Sequence, residues 1–339
     1  MARKTYPEYH KTLMDQGFYP TSKRRIKFEE TSHALIYRAG DFIYKIRKHR
    51  HGSDNPALKE KIAREALARG RQWAPEVYQD LLPLYRTAEG YSLQGSGEVL
   101  EFLLKLTQYS EHYFLKRVLS AGKLTPTGTG RLARYLAEHH ANLVAGEKGI
   151  ESGKPEFIRD LMEEVLYQSK KYINQTLPAP LLDMVSRPVH RFIEDNRKLF
   201  VRRVKKNRIV ECHGAFLPEH IYLKSKEIFA ISPQADMGRY RLMDAAYDVA
   251  MFLNELELAG AAELIELFQK RYITASKDRD LPKVITLYQT LSAMRTGLIY
   301  SERLIGETTP EDEKPGLIEA AHRYYNLGLK IAREIPQQG

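Results

Sequence analysis

The sequence changes its periodicity once, early, and that change limits the folds open to it. From about residue 103 nearly every stretch carries apolar residues at helical spacing. Three such runs are GTGRLARYLAEHHANLVAG, KPEFIRDLMEEVLYQSKKYINQ and PLLDMVSRPVHRFIEDNRKLFVRRVKKN. A single β-rich segment, IVECHG, a loop, IYLKS and KEIFAIS, breaks the series, and helices resume at about Arg241. Before residue 103 the pattern is different. ALIYRAG and DFIYKIRK predict a hairpin turning around Ala39-Gly40. Pro56 to Trp73 has helical periodicity with proline near its start. VYQDLLPLYRT and YSLQGSGEVLEFLLKL predict further strands, with a turn at Glu89-Gly90. Sheet first and helices afterwards is the signature of an α+β architecture with segregated layers.

Composition narrows the class. The 339 residues are 43% hydrophobic and 28% charged, as in an ordinary globular protein of two lobes or domains. One cysteine, Cys212, excludes an internal disulfide framework and a cysteine-cluster metal site, and fits a reducing compartment. The opening MARKTYPEYHKTLMDQG has no apolar core of signal-peptide length, and no stretch approaches a membrane span, so the expectation is a cytoplasmic protein without a membrane partner. The net charge of +10 attracts polyanions. The basic runs KRRIK, KIRKHRH and RRVKKNR are separate and lie beside different elements, which favours solvated faces over a dedicated nucleic-acid surface.

A small sheet-rich lobe over residues 1–102, a short connection and a larger helical lobe over 103–339 form a two-lobed, protein-kinase-like layout. VLEFLL is the expected connection, with Glu101 and Phe102 as candidate ligand-binding residues, and a cleft between the lobes is the expected ligand site. Four segments carry a resemblance to a known family: GDFIYKIRK, APEVYQDLLPL, RKLFVRRVKKNRIVECHG and RLMDAAYDVAMFLNELE. Over nearly its full length the chain resembles the bacterial aminoglycoside phosphotransferase-like kinases, most of all the branch often fused to a P-loop ATPase domain. The resemblance implies a lysine strand that holds nucleotide phosphates, a catalytic loop, and a metal-binding segment followed by a helix.

Residue by residue, the likeness is that of a degenerate member. Lys45 in IYKIRK stands at the phosphate-lysine position, and Glu65 in IAREALA fits the helix glutamate that would hold it. The family's catalytic loop reads HGD, a few residues, then N. Here it reads His213, Gly214, Ala215 and, five residues further on, His220. Ala215 has no acceptor with which to orient or deprotonate a hydroxyl. Imidazole suits zinc, copper or nickel better than magnesium. Ala230 stands where the second metal aspartate is expected, and Pro233 at the acidic position after it. Asp236, in QADMG, is the weak candidate for a displaced metal ligand, and Glu219 for a displaced base. His213 is expected to pin the loop. Asp244 and Asp248, four residues apart and expected on one helix face, are read as braces of the loop through its backbone amides and nearby basic groups.

The reading that follows is a pseudokinase binding a phosphorylated small molecule or a protein partner, with ATP or another nucleotide held without magnesium as the candidate cofactor. One alternative is an ATP-dependent small-molecule phosphotransferase with relocated metal ligands. The other is a basic scaffold that binds nucleic acid.

Overall fold

The computed structural model describes residues 6–20, 25–31, 33–48, 55–233, 238–305 and 309–336. The chain forms two compact units, Met1–Glu111 with Phe229–Ala235, and His112–Ile228 with Asp236–Gly339.

The first unit contains a short helix His10–Leu13 (α1), strands Lys27–Glu30 (β1), Ala34–Ala39 (β2) and Phe42–Arg47 (β3), helix Pro56–Trp73 (α2), and strands Tyr78–Thr87 (β4), Gly90–Ser92 (β5) and Glu98–Thr107 (β6). The six strands form one antiparallel sheet in the order β1-β2-β3-β6-β4-β5. The β2–β3 hairpin closes with Ala39 opposite Phe42, and Gly40 supplies the positive φ of 61° that this tight turn needs. Alternation then decides the faces. Leu35, Tyr37, Ala39, Tyr44 and Ile46 join Leu84 and Leu103 in one core, which Leu13 and Tyr19 of the N-terminal segment complete. Helix α2 packs against β6 and β4. Its start is fixed by the Asn55 side chain, which accepts the N–H of Ala57 and Leu58, and by Pro56 in the first turn.

Two expectations need correction here. VLEFLL is not a connection: it lies inside β6, which pairs with both β3 and β4, and the first unit continues to Glu111. An internal strand tolerates Glu101 because a lysine neutralises it, as described below. Strand β1, KFEE, was hidden by its polarity. It is an edge strand whose burial alternates only between exposed and half-buried.

The second unit holds helices Leu115–Ser120 (α3), Pro126–Asn142 (α4), Pro155–Ser169 (α5), Ala179–Asp195 (α6), Arg197–Lys205 (α7), Ala246–Leu258 (α8), Ala262–Ser276 (α9), Leu281–Leu304 (α10) and Lys314–Ala332 (α11). Strand Ile209–Glu211 (β7) pairs with Leu242–Asp244 (β10), and Ile221–Lys224 (β8) with Glu227–Ala230 (β9). Helix α8 is buried at nearly every position and packs against α10, which runs along α11, while α4 packs against α9. The helical restart expected at Arg241 is a strand: Leu242 pairs with Glu211 and Asp244 with Ile209 before α8 begins. Asp244 and Asp248 therefore do not share a helix face, since only Asp248 is helical. No described helix is long and apolar enough to cross a membrane.

Candidate functional site

In the second unit the loop Cys212–His220 is held from beneath by one carboxylate. Asp248, in the first turn of α8 and fully buried, accepts the backbone N–H of His213 at 2.6 Å and of Gly214 at 2.8 Å. Gly214 has φ 71°, a conformation that costs glycine little and lets both amides face the same acceptor. His140, from the buried face of α4, meets Asp248 through Nε2 at 3.1 Å, and its Nδ1 lies 2.7 Å from the Tyr272 hydroxyl on α9. Burial pushes the Asp248 carboxyl upward, but the hydrogen bond and charge of His140, the charge of His213 and the Gly214 amide outweigh it and hold the group below its ordinary range.

Ala215 and Phe216 of the loop are apolar, and the His220 ring is hydrogen-bonded. Ala215 is 1% exposed and Phe216 is fully buried, its ring edge-on to Phe252. The Ala215 carbonyl accepts the Leu217 N–H at 2.8 Å and lies 2.9 Å from Nδ1 of His220, which donates to it. The Pro218 carbonyl accepts the Lys116 N–H and ties the loop to α3. Glu219 is exposed.

Beside this loop lies a second buried cluster. The Arg203 guanidinium, on the inward face of α7 with Leu199 and Phe200, sits between two carboxylates. It bonds Asp244 through Nε and through Nη2 (2.6 Å), and Asp278 through Nη1 (3.0 Å) and Nη2 (2.8 Å). Burial opposes its charge, but the two aspartates hold it well above the ordinary arginine range. Asp244 also accepts the Ala246 N–H at 2.9 Å, which fixes the step from β10 into α8. His140, Cys212 and Asp248 bring one possible metal-ligating atom each within 4.8 Å of one another. Hydrogen bonding accounts for that cluster, since His140 and both oxygens of Asp248 are already engaged.

In the first unit Lys45 sits in β3, between Ile36 of β2 and Leu104 of β6. It is half-buried and makes no hydrogen bond or ion pair with a described residue. Burial, and then the neighbouring Arg47, lower its pKa, with Glu29 opposing. Glu65 is exposed on α2, and the structure does not bring it into an ion pair with any described residue. The buried helix-to-sheet pair is a different one: Lys59 Nζ lies 2.7 Å from Glu101 Oε1 and 3.1 Å from the Leu100 carbonyl. Phe102 is half-buried opposite Pro83 of β4. Ala230 is fully buried, and just beyond it the Ser232 N–H donates to the Tyr78 hydroxyl at 2.8 Å while Phe229 packs on Tyr109. Asp236 lies outside the described residues.

Sequence reading missed Lys59, Arg203 and Asp278. Arg203 carries a signal: it shares one helical face with Leu199 and Phe200, and an apolar face turns inward. Lys59 had none, being one cation among several on α2.

A curled antiparallel sheet unit and a helical unit carrying a loop hairpin are the parts of a protein-kinase-like fold of the aminoglycoside phosphotransferase type. Solved structures agree. A GDP complex of an aminoglycoside 2'-phosphotransferase-IIIa mutant is similar at 16% identity, with 97% of each chain covered and a TM-score of 0.54. A thermostable mutant of aminoglycoside phosphotransferase APH(4)-Ia is similar at 12% identity, covering 92% of this chain and 94% of that one, with a TM-score of 0.53. A choline/ethanolamine kinase family protein from Mesorhizobium loti is similar at 13% identity, covering 96% and 98%, with a TM-score of 0.50. No family model matches the chain, and no curated protein does.

Proposed function

We propose that this chain is a pseudokinase of the aminoglycoside phosphotransferase type, which binds a phosphorylated ligand or a protein partner without ordinary phosphoryl transfer. The observation that carries the reading is Ala215. Where the resemblance requires a carboxylate to receive the acceptor's proton, there is a methyl group 1% exposed, in a loop whose carbonyl is already taken by Leu217 and His220. The described residues at the metal positions do not fit magnesium, which demands oxygen donors: Ala230 offers a buried methyl and His220 an imidazole bonded to a carbonyl. Kinase groups act as a unit, so the loss of several leaves little for one survivor to do.

Lys45 supports ligand binding. A desolvated ammonium with no partner among the described residues gains most from a phosphate, which restores its favoured charged form. Lys48, by contrast, is spent on Glu30 at 2.5 Å. The test is a thermal-shift screen of nucleotides and phosphorylated metabolites, with magnesium and with EDTA. Stabilisation that survives EDTA and is lost in Lys45→Ala supports the reading. Magnesium-dependent transfer of a phosphoryl group above a Lys45→Ala control overturns it in favour of the relocated-ligand enzyme.

A further inference from the structure

We propose that the exposed face of α7 is a docking surface for the phosphate backbone of duplex nucleic acid. The sequence run RKLFVRRVKKN divides by helical phase. Leu199, Phe200 and Arg203 face inward, while Lys198, Val201, Arg202 and Lys205 form one outward stripe, extended by Lys206 at the C-cap. Arg202 and Lys206 converge on Asp280 at 3.0 and 3.1 Å, and Lys283 of α10 reaches the same carboxylate at 3.0 Å. Asp280 is 9% exposed, whereas the three cations are 44%, 53% and 59% exposed. Burial works against its charge, but hydrogen bonds from Lys283, Lys206 and Arg202 hold its carboxyl far below the ordinary range, so it stays ionised as their anchor.

One anchored carboxylate cannot neutralise three cations. An excess of two positive charges remains, and Lys198 and Lys205, which pair with no described residue, raise it to four. Arg197 is excluded from this count because it is spent on Glu156 and Glu194. Compensation of the helix dipole explains cations in the last turn, but not Lys198 in the first, nor the gathering of Lys283 from another helix. The three anchored cations are held in place before any ligand arrives, which lowers the ordering cost of binding.

The chemistry of the face selects the partner. The helix is nine residues, about 13 Å long, so its stripe matches a short row of backbone phosphates. No aromatic side chain lies on the stripe, so it lacks the stacking platform by which proteins hold single strands. Val201, 49% exposed, is its one apolar group, too little to anchor the face in a lipid interface.

The experiment is fluorescence anisotropy of the full chain with a labelled DNA duplex of about 20 base pairs. Wild type, Lys198→Glu with Lys205→Glu, and a control with Lys61→Glu and Lys123→Glu are titrated from 50 to 200 mM salt, with Tm measured for each. Four phosphate contacts predict a slope of log K against log salt of about −3.6, a loss of about 10²-fold across that range. The α7 double variant removes two positive charges and adds two negative ones, which takes the excess of four to zero, so it should bind at least tenfold more weakly with a slope near zero, and the control should match wild type. Should the α7 variant melt early, Lys198→Gln with Lys205→Gln repeats the measurement with an excess of two charges and an expected slope of about −1.8. Equal weakening in both double variants, no binding at 50 mM salt, or binding to phosphatidylserine vesicles without binding to duplex each overturns the proposal.

Discussion

Asp248 and His140 meet at 3.1 Å in a site closed to solvent, one on α8 and the other on α4, and the loop that follows β7 hangs from their junction. The carboxylate takes two loop amides on one side and the imidazole on the other. The loop backbone is thus fixed by a group that need never touch a substrate. The shape of the loop is therefore independent of what its side chains offer, and Ala215 offers a methyl group.

Asp248→Ala is expected to cost about 3–5 kcal/mol, because it leaves two buried amides and a buried histidine without their shared acceptor. Urea unfolding reads this directly. The pH dependence has a definite sign. Asp248 has a depressed pKa in the folded state, so its contribution is complete above the unfolded value of about 3.9 and disappears as pH falls through the folded value. Asp248→Asn should flatten the acid limb of the stability curve below about pH 4. An unchanged acid limb would mean that the carboxylate is not held as described.

Arg203→Lys should be nearly as damaging as Arg203→Ala. The guanidinium bonds four carboxylate oxygens in two directions, and an ammonium lacks the planar fork to do so. Either change strands Asp244 and Asp278 in the interior, at a cost of about 3–5 kcal/mol. Full stability in Arg203→Lys, by chemical denaturation, would show that only charge matters there.

The parts of this fold that announce themselves in sequence are those built by periodicity. Tyr44 and Ile46 alternate with Lys45, and Leu199, Phe200 and Arg203 recur at helical spacing. The loop stands out as the short, dense stretch VECHGAFLPEHIYL at 210–223. Pairings across distance were not. Lys59 meets Glu101 from 42 residues away and Arg203 meets Asp278 from 75, and neither spacing leaves a local trace. The resemblance implies a glutamate on α2, for which Glu65 stands, while the buried pair has its carboxylate on β6 and its cation, Lys59, on the helix. The same limit explains Asp244: a four-residue spacing looks helical until β7 is known to pair with LMD.

Glu255 offers a second pH signal, opposite in sign. On α8 it accepts a hydrogen bond from Tyr324. Burial pushes its carboxyl up to about 7, the Tyr324 bond opposing and the charge of Glu219 adding to the rise. A raised folded pKa means that the folded protein holds this proton more tightly than the unfolded chain. Stability should therefore fall as pH rises from about 4.3 towards 7, then level off. Glu255→Gln should remove that slope and gain about 1 kcal/mol at pH 8, a value discounted for the half-exposed position of the side chain. Parallel wild-type and variant curves between pH 5 and 8 would place the ionisation elsewhere.

Ala215→Asp should not confer phosphoryl transfer. The substitution returns an acceptor for the hydroxyl proton but no oxygen donors at His220 or Ala230, and the new carboxylate would enter a position only 1% exposed. Burying an unpaired charge there should instead lower stability by a few kcal/mol. Binding should divide differently. Calorimetry in EDTA with a nucleoside triphosphate is expected to give the same affinity for wild type and Ala215→Asp, because Lys45 lies on β3 and not in this loop. Lys45→Ala should weaken that affinity at least tenfold, and raised salt should weaken it in wild type as screening grows. Turnover in Ala215→Asp with magnesium present would show that metal ligands lie outside the positions assigned to them, and that an acceptor at position 215 is the one group the proposed reading leaves wanting.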